Sequence, residues 1–159
     1  MINPPSEIVV IRFDATDAAA HTEVARVPVG LSAEGFAVSP QEDLIVAVNM
    51  GRTYLPDRLT FWPGAQFSSL TLLSFDRETG ALAVLSEPYG FVGVLPEDAM
   101  FDADGDALAV VIYNDRERPL DPGVVEFWNV VRDGEVPRLE RTAVRLPLVR
   151  GPHAMNLIP

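Results

Sequence analysis

The chain has 159 residues, 48% hydrophobic and 22% charged, which describes one ordinary globular domain and excludes a disordered chain. Its net charge is −11 and all 12 cations are arginine, so its mean field opposes nucleic acid and anionic membrane, and neither is expected as a partner. Cysteine is absent, which excludes disulfides, thiolate nucleophiles and cysteine-held metals.

From the N-terminus, MINPPSE has neither a basic segment nor a long apolar one, so no signal peptide and a cytoplasmic location are expected. No run in the chain reaches the roughly 20 apolar residues that a membrane span needs. EIVVIRFD predicts a strand over 7–13. DATDAAAHTEVAR (14–26) admits a short helix or a loop, and the turns at its counterparts favour the loop, with His21 on the surface. A second outer strand, 22–29, completes this part. GLSAEGFAVSPQEDLIVAVN then predicts strands 34–38 and 44–49 around the turn SPQED. MGRTYLPDRLTFWPGAQFS (50–68) is a long connection to a strand at 69–75. VLPEDAMFDADGDALAVVI predicts strands 99–102 and 107–113, DRERPLDP (115–122) a second long connection, and VVEFWNVV a strand at 124–131. RGPHAMNLIP ends the chain with a further expected strand at 153–158.

FDADGD (101–106) has the look of a calcium loop, but its glycine comes too early and the twelfth position from Asp102 is Tyr113 in place of glutamate. An acidic hairpin turn explains the same residues without a metal.

The chain repeats itself. GLSAEGFAVSPQEDLIVAVN at 30–49 aligns without a gap on GVLPEDAMFDADGDALAVVI at 93–112, so that Gly30 falls on Gly93, Glu34 on Glu97 and Asp43 on Asp106. EIVVIRFD, SLTLLSFD and VVEFWNVV are three copies of a second element. Placing Pro152 on Pro96 brings His153 onto the position of Glu34 and Glu97. Most of the strands are continuously apolar, which predicts sheets covered on both faces. Four-stranded antiparallel units repeating in this way predict an all-β fold of β-propeller blades. The expected parts are a half blade at 7–29, blades at 34–88 and 97–147, and an inner strand at 153–158. That is an incomplete ring, since propellers have about four to eight blades. The chain is therefore expected either to belong to a longer propeller or to associate head to tail with its own copies.

Propeller topology places the two long connections at one end, the expected functional face. Glu34, Glu97 and His153 enter innermost strands at that end. They are the candidate catalytic residues, as general bases or as ligands of a possible divalent metal ion; the plainer reading is that they cap strand entries. Arg52, Tyr54, Arg58 and Trp62 in the first long connection are candidate binders of a small-molecule or protein ligand, with Arg116 and Arg118 in the second.

The unit LPEDAMFDADGDALAVVIYN resembles the P-x-x-x-x-F-x-P-D-G-x-x-L-x-V-x-N repeat of lactonase-like β-propellers, the 6-phosphogluconolactonase-type and YVTN-repeat proteins. SLTLLSFDRETGAL is similar to their outer strands, and RGPHAM to the segment that opens inner strands. The resemblance implies a propeller fold and, if it extends to chemistry, opening of a lactone ring by water with Glu34, Glu97 and His153 as bases or metal ligands. The alternative is a non-enzymatic propeller module that binds a protein or a ligand.

Overall fold

A computed structural model describes residues 5–59, 61, 67–115 and 123–158. Its described elements are antiparallel β-strands, with no α-helix and two short 3-10 turns at Ala18–Ala20 and Asp57–Leu59. β1 (Pro5–Arg12) pairs with β2 (Thr22–Leu31) in a two-stranded sheet. β3 (Ala33–Val38), β4 (Leu44–Asn49) and β5 (Phe67–Phe75) follow as neighbours. The far edge of β5 is shared by β6 (Leu82–Val84) and β7 (Tyr89–Val92). The third sheet runs β8 (Val94–Phe101), β9 (Ala107–Asn114), β10 (Val124–Val131) and β11 (Arg138–Pro147). None of the three sheets closes on itself. Among the described residues no helix is long and apolar enough to cross a membrane.

The continuous apolar runs have a simple cause. Every residue of β4 is buried, because the middle sheet is covered on both sides. Val46 and Val48 join Leu70 and Leu72 in a core shared with Phe101, Leu108, Val110 and Ile112 of the third sheet. Ile45, Ala47 and Leu73 face the other way, onto Ile8, Val27 and Val29 of the two-stranded sheet. Alternate side chains on a strand point to opposite faces, so a strand between two layers must be apolar at both parities. Full burial of each aliphatic side chain contributes about 1.5–3 kcal/mol. Trp128 anchors the shared core, its ring edge-on to Tyr89 and Phe91 at centroid distances of 6.3 and 6.1 Å.

The middle and third sheets share fine detail at the 63-residue offset. Ser32 and Leu95 both take left-handed φ, 54° and 52°. Register shifts fall between Ala33 and Gly35 and between Pro96 and Asp98, so Glu34 and Glu97 each sit in a bulge. The turns also match: Glu42 N–H donates to Ser39 O as Gly105 N–H donates to Asp102 O. DADGD is thus a turn between β8 and β9, with Gly105 at φ +73° supplying the left-handed position.

The expected strands are all present except one. Residues 14–21 form a loop with one 3-10 turn, capped where the Asp17 carboxylate accepts the Ala19 N–H. The unit expected over 34–88 reaches Val92, because its last strand is broken in two; Pro88, which has no N–H, lies in the break. The correction concerns 153–158, which forms no strand. This stretch crosses the end of the third sheet and does not run along an edge, so no ladder holds it extended.

Candidate functional site

Antiparallel pairing brings the start of β3, the end of β4 and the start of β5 to one end of the middle sheet. The same end of the third sheet holds the start of β8, the end of β9, the start of β10 and the end of β11. Both long connections leave from these ends. Side chains lock the two together: Thr53 Oγ1 donates to Met50 O at 2.8 Å and accepts the Leu95 N–H at 3.1 Å. Ser68 Oγ donates to Gly93 O at 3.0 Å.

The segment after β11 is laid across this end by specific contacts. Gly151 N–H donates to Tyr113 O at 3.1 Å, and Pro152 packs on Gly123, where any side chain on Gly123 would collide with it. Arg150 lies over the Tyr113 ring, 5.8 Å from its centroid. Asp98 Oδ2 accepts the Met155 N–H at 3.2 Å. These anchors deliver His153 to Glu97, with Nδ1 3.5 Å from Oε2, and the Tyr113 ring stands edge-on to the imidazole at 5.6 Å. The Glu97 side chain is 13% exposed and His153 is 66% exposed, so a shielded carboxylate faces one imidazole nitrogen while the ring stays open to solvent.

Two of the three expected catalytic residues are therefore side by side. Glu34 is exposed instead on the wall of a cleft of about 420 Å³ between β3 and β1, beside Ser6 and Glu7. Among the described residues no three His, Asp or Glu side chains gather closely enough to hold a metal ion. Arg52 is half-buried, Tyr54 and Arg58 are exposed, and Trp62, Arg116 and Arg118 lie outside the described residues. Asn49, a possible oxygen ligand by its place at the end of β4, is fully buried. Its amide nitrogen donates to Thr71 Oγ1 at 3.0 Å, and Gly30 is pressed flat against it.

Sequence reasoning missed a buried ion network at the same end. Glu126, 1% exposed in the middle of β10, accepts from Arg141 Nε at 2.9 Å and lies 3.0 Å from an Arg145 nitrogen. Arg145 Nη2 also donates to Asp115 Oδ1 at 2.9 Å. The available signal was the one charged residue in the mostly apolar VVEFWNVV, a glutamate, with arginines at 141 and 145 on the next strand. A buried carboxylate requires such partners.

The chain matches no protein-family model, and no curated protein matches it.

Proposed function

We propose that the chain is a run of lactonase-like β-propeller blades and that the pair Glu97–His153 hydrolyses a lactone at the end carrying the long connections. The observation that carries this reading is the 3.5 Å approach of His153 Nδ1 to Glu97 Oε2 on a segment fixed by backbone contacts. In this reading Glu97 holds the imidazole by Nδ1 and stabilises its protonated form, as an acid partner does for a catalytic histidine. Nε2 then takes a proton from water, whose oxygen adds to the lactone carbonyl. The ring C–O bond breaks, and the proton passes to the departing alkoxide, leaving a hydroxy acid. Arg52 and Arg58 on the first long connection would draw in an anionic substrate on an otherwise acidic protein. Proton transfer by this pair is preferred over metal-assisted attack because one chain brings only two of the expected ligands together.

The test is release of acid from small γ- and δ-lactones, followed with a pH indicator. Glu97→Gln and His153→Ala are expected to lower kcat/KM by about 10²–10⁴. No hydrolysis above the buffer rate, or two fully active variants, overturns the reading. In that case the exposed Tyr54 and Phe61 on the first connection favour a non-enzymatic module that binds a partner there.

A further inference from the structure

We propose that a second copy of the chain completes the cleft between β1 and β3 by inserting residues 151–158, so that copies associate head to tail and Glu34 of one copy meets His153 of the other. The cleft is apolar, walled by Ile8, Val10, Phe36, Val38, Ile45 and Phe75, and Phe36 is 58% exposed within it. Among the described strands β1 pairs only with β2, so its other edge has open backbone groups. An exposed apolar face beside an open strand edge calls for a cover.

The chain holds a segment of matching character. Residues 148–158 include Leu157 and Ile158, the latter 86% exposed, and form no strand. Charge selects this segment as well. On a chain of net charge −11 it has no acidic residue and carries Arg150 and His153, while the cleft presents Glu34 beside Glu7, the latter already paired with Arg26. The packing between successive sheets sets the register. Gly35 of β3 lies against the backbone of Glu97 and Asp98 of β8, and one step later His153 and Met155 meet the side chains of the same two residues, Glu97 and Asp98. Taking the same step once more, with 151–158 as the preceding strand and a copy's β3 as the following one, sets Ala154 against Glu34 and Gly35. His153 would then stand between Glu97 of its own chain and Glu34 of the other, so the site gains its second carboxylate only across the junction. The association rests on the blade reading of the sheets and not on lactone chemistry, and its test reads mass and cross-links, never activity.

The protein is free of cysteine, so single cysteines report cleanly. Light scattering of the unaltered chain from about 1 to 300 μM should show mass rising above the monomer. Ile158→Asp and Phe36→Asp should each restore the monomer, and a mixture of the two, which retains one intact junction, should recover a dimer. Under mild oxidation Ala154→Cys mixed with Glu34→Cys should give a cross-linked dimer that neither gives alone. A monomer throughout the range, or Glu34→Cys cross-linking to itself, overturns the proposal. If association holds and lactones are untouched, the interface stands and the enzymatic reading falls.

Discussion

Arg132 and Asp43, 89 residues apart in sequence, meet in a two-pronged ion pair that ties the third sheet to the middle one, with N–O distances of 2.6 and 3.2 Å. The pair sits at the end away from the long connections, where Ser39 Oγ also donates to Asp43 at 2.8 Å. Burial alone would raise the Asp43 carboxyl, but the hydrogen bonds from Arg132 and Ser39 outweigh it and hold the group below the usual carboxylate range. A carboxyl whose folded pKa lies below its unfolded value of about 3.9 stabilises the fold at higher pH. That contribution fades as pH falls from about 4 through the folded pKa. Both side chains are partly exposed, so water screens the pair and its coupling should be no more than about 1 kcal/mol. Urea unfolding of the Asp43→Asn and Arg132→Met single and double variants at pH 7 measures it. The coupling should shrink as the pH is lowered below about 4 and through the folded pKa of Asp43; a coupling that stays constant down the whole acid limb would show that Asp43 is not the titrating partner.

The buried network around Glu126 should behave differently. Arg145→Met leaves Glu126 facing Arg141 alone and strips Asp115 of a partner while both carboxylates stay buried. Removing one member of a buried pair costs about 3–5 kcal/mol. The combined Glu126→Leu, Arg145→Met change still takes Arg145 from Asp115 and also takes Glu126 from Arg141, so it should be no more stable than Arg145→Met alone. Chemical denaturation midpoints decide this, and a double variant more stable than the single one would refute it.

How much of this was legible in the sequence depends on what each feature needs. The strands were legible because a layer covered on both faces demands apolar residues at both parities, as LIVAVN shows at β4. The turns were legible from Gly and Asp chemistry. Residues 153–158 were expected as a strand from their alignment on the repeat, but a strand is a pairing, and alignment does not say whether a partner edge lies alongside. Glu97 and His153 were placed together by register alone, and the anchors that bring them within 3.5 Å, such as Gly151 to Tyr113 O, have no sequence signature. Glu34 shares the register but borders a cleft, since among the described residues no segment lies against β3 there as 153–155 lies against β8. The Glu126 network was missed because it depends on Glu126 pairing opposite Arg145 on β11, past a register shift that pattern reading does not reveal.

Gly35 offers a direct probe of the packing between the inner strands. A methyl group added there would stand 2.7 Å from Glu97 O, a backbone atom that cannot swing aside. Gly35→Ala should therefore force β3 and β8 apart and cost about 1–3 kcal/mol, as overpacking does. Gly90, where an added Cβ meets nothing within 4 Å, is the control, and Gly90→Ala should change stability little. Because Glu97 lies at the point of contact, Gly35→Ala should also disturb the His153 environment. Histidine NMR shifts would register that. An alanine at 35 tolerated as well as one at 90 would mean the strands are farther apart than described.

Asp102 and Ser39 hold equivalent turns by the same device, which decides what the acidic stretch DADGD is for. Asp102 Oδ1 accepts the N–H groups of Asp106 and Ala107 at 2.9 and 3.0 Å. Ser39 Oγ accepts those of Asp43 and Leu44 at 3.2 and 3.0 Å. The side-chain oxygen is needed as an acceptor one turn ahead of a strand, a role open to serine and aspartate alike. A carboxylate oxygen already taking two backbone donors is poorly placed to ligate a cation as well. Asp102→Ser should consequently be tolerated, while Asp102→Ala leaves two N–H groups without their acceptor and should cost about 1–3 kcal/mol. Asp104, exposed at the tip, should be replaceable by alanine with a change of no more than about 0.5 kcal/mol. Calcium at about 1 mM should leave the melting temperature of all three variants and the parent unchanged. A rise in the parent that disappears in Asp104→Ala would show that the loop binds the ion after all, because the turn itself has no use for that carboxylate.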